Sequence, residues 1–184
     1  MSPEEFLAWE RSEDLRHEYR DGEVVAMSGA RRAHNLISVN MASELRAALK
    51  DRDCETYASE MRVWIPKTGL YTYPDIVVVC GEPQFIDDEF DTLLNPVLVV
   101  EVLSDSTESY DRGRKFEQYR RIDTLKEYIL ISQSRPYVER FVKRGDGFWQ
   151  LSEFSGHDAV LAIETLSAAI PLAGIYEKVK FSGQ

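Results

Sequence analysis

The chain has 184 residues, 43% of them hydrophobic and 29% charged, which is enough apolar material for one compact domain with a buried core. Its formal net charge of -10, from 32 acidic against 22 basic side chains, opposes loose attraction to nucleic acid. No apolar run approaches the roughly 18 residues of a membrane span. The acidic start Met1-Ser2-Pro3-Glu4-Glu5 is unlike a secretory signal, so a cytoplasmic protein is expected. Cys54 and Cys80 lie outside any Cys-x-x-Cys spacing and read as reduced core residues. Charge is uneven along the chain. Arg112, Arg114, Lys115, Arg120 and Arg121 crowd one segment, and Glu82, Asp87, Asp88, Glu89 and Asp91 crowd another, so a local basic face is compatible with the acidic total.

In chain order, Ser2-Pro3-Glu4-Glu5 has the form of a capped helix start, with Ser2 as N-cap and Glu5 as its reciprocal partner, and predicts a short helix to about Arg11. Residues 17–28 alternate around Asp21-Gly22, a hairpin turn dipeptide. From His34 to Leu49, Ile37, Met41, Leu45 and Ala48 form the apolar stripe of an amphipathic helix, and His34 falls on the same stripe. Strands are predicted at about 54–65, 72–80 and 97–103. The runs Ile76-Val77-Val78-Val79 and Val97-Leu98-Val99-Val100 suit a central sheet covered on both faces. A helix over 106–122, with Phe116, Tyr119 and Ile122 on one side, is predicted to cross the sheet. Strands at 127–132, 137–143 and 148–154 follow, with a turn at Gly145-Asp146-Gly147. The tail from Asp158 is read as one short strand and an apolar segment at Ile170-Pro171-Leu172.

Pro74-Asp75 opens one apolar strand and Glu101 ends another, which sets two carboxylates at the ends of adjacent central strands. Buried acids need compensation, and a hard cation supplies it. Magnesium commonly takes one or two protein carboxylates and leaves room for water and phosphate. The plainer alternative is that Asp75 caps a turn after Pro74 while Glu101 pairs with an arginine of the 112–121 segment. Lys115 is open to two readings of the same kind, an ammonium beside the carboxylates or a solvated cation. Ser104, Ser106 and Thr107 read as caps of the following helix rather than nucleophiles.

The order Pro74-Asp75, apolar strand, Glu101-Val102-Leu103-Ser104-Asp105-Ser106-Thr107, then Asp111 and Lys115 on a helix, resembles the Uma-type family of restriction-endonuclease-like proteins, a branch of the PD-(D/E)XK nuclease superfamily. The resemblance covers most of the chain, from Glu18 to Ser132. It implies an α/β fold with a restriction-endonuclease-like core, a mixed central β-sheet flanked by helices, preceded by an N-terminal helix and hairpin. It also implies a metal-dependent endonuclease acting on nucleic acid, DNA in the first instance, as a homodimer. Mg2+ is the implied cofactor, with Mn2+ as substitute, held by Asp75 and Glu101. The family lysine two places after the glutamate is absent, because Leu103 stands there, and the resemblance gives that role to Lys115. Glu18 resembles a recurrent acidic position, and His34 on the first core helix resembles residues that assist the metal in related nucleases; an exposed strand residue and a core histidine are the alternatives. Arg31, Arg32, Arg112 and Arg114 are candidate contacts to substrate phosphates, since guanidinium forks fit them and helix N-termini favour anions. A non-catalytic binding or regulatory protein on the same fold is the rival reading, because a fold does not fix a function.

Overall fold

The computed structural model describes residues 1–104 and 107–181, so the Ser106 cap lies outside the described residues. The capped start folds as expected: α1 (Pro3–Glu10) carries the full capping box, in which the Glu5 N–H donates to Ser2 Oγ and the Ser2 N–H to Glu5 Oε2. β1 (His17–Arg20) and β2 (Glu23–Ala26) form the hairpin, with Asp21 and Gly22 both at positive φ, as a two-residue turn of this hand requires. α2 (Arg32–Ala48) follows, and its stripe of Ile37, Met41 and Leu45 is buried.

The expected 54–65 strand divides into β3 (Cys54–Ala58) and β4 (Arg62–Ile65), and 72–80 divides into β5 (Leu70–Thr72) and β6 (Ile76–Cys80). The second break falls at Pro74, which has no N–H to give a ladder. After β7 (Thr92–Leu93), unanticipated and paired parallel to β4, come β8 (Leu98–Leu103), β9 (Glu127–Ser132), β10 (Tyr137–Lys143) and β11 (Trp149–Ser155). The tail makes a hairpin of β12 (Val160–Ile163) and β13 (Ala168–Pro171), one strand more than expected, and ends in α5 (Leu172–Ile175).

A six-stranded mixed sheet runs β11-β10-β9-β8-β6-β3, with β8 and β9 parallel and the other neighbours antiparallel. A five-stranded sheet runs β2-β1-β5-β4-β7. Strand alternation sorts the six-stranded sheet into two faces. Ile76, Val78, Val100, Val102 and Ile129 pack on α2 and the tail; Val77, Val79, Val99, Leu103, Tyr128 and Leu130 pack on Phe116, Tyr119 and the second sheet. Both faces are covered, as the continuous apolar runs indicated. The architecture is the α/β, restriction-endonuclease-like one that the sequence implied. No helix among the described residues is long and apolar enough to cross a membrane.

Two expectations are corrected. The 106–122 helix is not one continuous α-helix: α3 (Glu108–Tyr110) and α4 (Phe116–Tyr119) flank a π-helical turn at Asp111–Lys115. Such wide turns recur at functional sites because the extra residue re-aims side chains. The cysteines are not reduced: Cys54 and Cys80 are directly opposed across the β3–β6 pair and joined by a disulfide spanning 26 positions. Their spacing along the chain concealed a contact made by strand register. Protein unfolded without reductant should therefore show no free thiol, and reduction should lower its unfolding free energy by about 2–4 kcal/mol. Two titratable thiols before reduction would contradict the link.

Candidate active site

The site is assembled where the open end of the β6–β8 pair meets the helical segment and the first hairpin. In the register Ile76 stands against Val100, which places Asp75, one position ahead of β6, opposite Glu101 on β8. Glu101 shares its sheet face with Val99 and Leu103, the face covered by α4. β1 pairs with β5 through Tyr19 and Tyr71, so Glu18 comes beside Thr72, whose hydroxyl donates to Glu18 Oε1. The π-helical turn carries Asp111 and Lys115 inward; both are buried although two arginines of the same turn are not.

Lys115 Nζ lies 2.9 Å from Glu101 Oε1, 3.2 Å from Glu18 Oε1 and 3.9 Å from Asp111 Oδ1. Tyr119 OH donates to Glu101 Oε1 at 2.8 Å, and Tyr128 OH donates to the Asp111 carbonyl at 3.1 Å. Asp75 is fixed from the other side: the Val102 N–H donates to its Oδ2 at 2.7 Å, and His34 Nε2 stands 3.1 Å from the same oxygen. The opposite imidazole nitrogen of His34 is 3.5 Å from Ser38 Oγ.

Burial pushes the Glu101 carboxyl up to about 8; Lys115 opposes this, while Asp111 and Asp75 add to it. Asp111 is raised as well, by burial first, with Lys115 again opposing. Burial works against the Lys115 ammonium, but Glu101, Glu18 and Asp111 outweigh it and hold the group protonated well above its ordinary value. The carboxyls of Glu18, Glu101 and Asp111 thus surround a single lysine, Asp75 acts on Glu101 and Asp111 from nearby, and in this balance acids outnumber the cation.

That balance decides between the open readings. Lys115 is a buried partner of the acids rather than a solvated cation, and Glu101 pairs with it rather than with an arginine. Glu18 is buried at the site, not exposed. His34 does face inward, toward Asp75. Leu103 packs in the core under α4, so the place of the missing lysine is apolar and the charge arrives from the helix above. The proposed phosphate contacts divide. Arg31 and Arg32 are exposed at the start of α2, one turn from His34, and Arg114 is exposed on the π-turn. Arg112 is engaged elsewhere, 2.9 Å from Glu108 and paired with Glu139, so it is a structural strut in this arrangement.

Asp111, Tyr119 and Thr72 were missed as site residues. The i, i+4 spacing of Asp111 and Lys115 was the available signal for the first; the other two depend on strand pairing and helix docking that local patterns do not reveal.

Among the described residues no group of three or more His, Cys, Asp or Glu side chains is placed to hold a metal ion. Asp75 and Glu101, opposed across β6 and β8, are the two hard oxygen donors that would hold a magnesium ion here. A carboxyl raised on folding binds its proton more tightly when folded, so its contribution to stability is complete below about 4.5 and is lost as pH rises through about 8. Melting in chelator should therefore fall between pH 5 and 8, and Glu101→Gln should flatten that fall. An unchanged profile in the variant would remove Glu101 as its source.

Comparison with known proteins agrees with this architecture. Residues 3–173 match the family model "Uma2: Putative restriction endonuclease". The Synechocystis protein slr1290 is 36% identical over 181 residues, covering 98% of this chain and 94% of the relative. A second Synechocystis protein, sll1609, is 37% identical over 159 residues, covering 86% and 90%. A crystal structure from Anabaena variabilis, described as "a putative nuclease belonging to DUF820", superposes with a TM-score of 0.78 at 15% identity, over 98% of this chain and 99% of that one. The match across nearly the whole chain places this protein in the Uma2 family of restriction-endonuclease-like proteins.

Proposed function

We propose that the protein is a metal-dependent endonuclease that hydrolyses phosphodiester bonds in DNA, using Mg2+ or Mn2+ held by Asp75 and Glu101. The observation that carries this reading is the buried Lys115 ammonium, held between Glu18 and Glu101, with Asp75 opposite Glu101 across the β6–β8 pair. A bound divalent ion would polarise a phosphoryl oxygen and lower the pKa of a coordinated water.

The chain's own residues supply the rest. The Val102 N–H and His34 hold Asp75 in one orientation. Tyr119 and Lys115 hold Glu101 Oε1. Glu18 and Asp111 fix the ammonium, which can orient the attacking water and offset negative charge as it develops on the phosphoryl group. His34, within hydrogen-bonding distance of Asp75, is placed to keep or pass a proton at Nε2. Arg31, Arg32 and Arg114, all exposed, would supply cations for the strand backbone. A homodimer in the cytoplasm completes the reading, since cutting two strands calls for two sites.

Purified protein should cleave DNA with Mg2+ or Mn2+ and not in chelator. Asp75→Ala should reduce the rate at least about 100-fold, and Lys115→Met by about 100- to 1000-fold, the range for removing one preorganised charge-stabilising group. Equal cleavage by wild type and Asp75→Ala would identify a contaminant and overturn the proposal. Binding of DNA with no cleavage under any divalent ion would favour the non-catalytic alternative.

A further inference from the structure

At the far end of the helical segment from Lys115 lies a second basic surface that the catalytic cluster does not use. Arg120 and Arg121 follow directly on α4, and Lys143 and Trp149 come from the ends of β10 and β11, where they are paired across the sheet. Together with Gly147 they line an open concavity of about 220 Å³. This is below the roughly 300–1,000 Å³ of enclosed small-molecule pockets, so the shape suits part of a longer ligand lying across the surface.

The chemistry of the walls is specific. None of Arg120, Arg121 or Lys143 has a carboxylate ion-pair partner among the described residues, although the chain is strongly acidic. Of the acids near them in sequence, Asp123 is held by Lys67 at 2.5 Å, while Glu117 and Asp146 form no ion pair among the described residues. Arg144, next to Lys143, is neutralised by Glu164. Trp149 is half-buried and packs edge-on against Phe116, ring centroids 5.3 Å apart, and the Arg120 guanidinium sits 5.1 Å from the Phe116 ring centroid on the same aromatic cluster. Phe116 is the residue after Lys115, so the concavity is built on the element that places the catalytic ammonium. The four residues of α4, about 6 Å of axial rise, separate Lys115 from Arg120.

We propose that this concavity is a subsite for single-stranded nucleic acid, with strand phosphates on Arg120, Arg121 and Lys143 and a base stacked on Trp149. Unpaired cations set beside an aromatic ring are the combination that binds a strand without reading its sequence. The inference rests on the nuclease reading for the identity of the polyanion. It assigns part of strand capture to residues outside the catalytic cluster, and it accounts for how an acidic protein holds an anionic polymer.

Binding can be measured apart from cleavage, with fluorescein-labelled oligo-dT titrated in chelator against full-length protein carrying Asp75→Ala. Adding Arg120→Ala and Arg121→Ala should weaken binding at least about tenfold and lower the salt slope by roughly 0.7 for each phosphate no longer neutralised. Trp149→Ala should weaken it by about tenfold, and Trp149→Phe should recover most of that loss. Circular dichroism melts check folding, and Lys143→Ala, which removes no ring from the aromatic cluster, gives a second test should Trp149→Ala unfold. Unchanged binding in the arginine and Lys143 variants would overturn the subsite. Competition by dextran sulfate equal to that by oligo-dT, with no effect of Trp149, would reduce it to general polyanion attraction and also overturn it. If dTMP bound as tightly as the oligomer, the site would be one for mononucleotides and the strand subsite would fall. Intact binding behaviour together with no cleavage by the wild-type protein under Mg2+ or Mn2+ would leave the subsite standing and count against the nuclease alone.

Discussion

The ammonium of Lys115 among Glu18, Glu101 and Asp111 is the interaction on which the rest of the structure depends. Each partner comes from a different part of the chain: the first hairpin, the central strand β8 and the π-helical turn. A charged lysine this deep is tolerated only because carboxylates surround it, and those carboxylates are tolerated together only because of the lysine. Removing either side would leave uncompensated charge inside the protein. The wide turn at Asp111–Lys115 is the local device that points two polar side chains inward from a helix whose next residue, Phe116, belongs to the apolar core.

The sheet supplies the second constraint. Pro74 ends the β5 ladder, and Asp75 falls one place beyond the β6–β8 pairing, where its carboxylate caps the Val102 N–H and meets His34 from α2. Glu101 is instead enclosed by Lys115 and Tyr119. The two acids are therefore adjacent but differently held. Asp75 is held by the Val102 N–H and His34, whereas Glu101 is driven upward by burial. Under the proposed function these two acids would be the oxygen donors to a hard cation that must also admit water and a phosphate oxygen.

Much of this was legible in the sequence because it depends on local signals. The capping box at Ser2 and Glu5, the Asp21-Gly22 hairpin and the stripe of Ile37, Met41 and Leu45 are each fixed by neighbours within a few positions. The doubly buried strands were legible from apolar runs. The central pair of acids stood out because each interrupts or opens such a run, and Lys115 became a candidate through resemblance to a family in which Leu103 marks a departure. What escaped was non-local. The Cys54–Cys80 link depends on strand register, the role of Thr72 on how β1 meets β5, and the engagement of Arg112 on Glu139 approaching from β10. The π-turn escaped because hydrophobic spacing alone does not separate it from a regular helix of the same length.

The central claim is that Asp75 and Glu101 form one divalent-cation site with Lys115 at its side. The most direct measurement is anomalous diffraction from a crystal soaked in manganese. The account predicts an anomalous peak bridging the Asp75 and Glu101 carboxylates, with the Lys115 ammonium still beside Glu101. A well-ordered site with no peak there, or a peak held by other side chains, would contradict it.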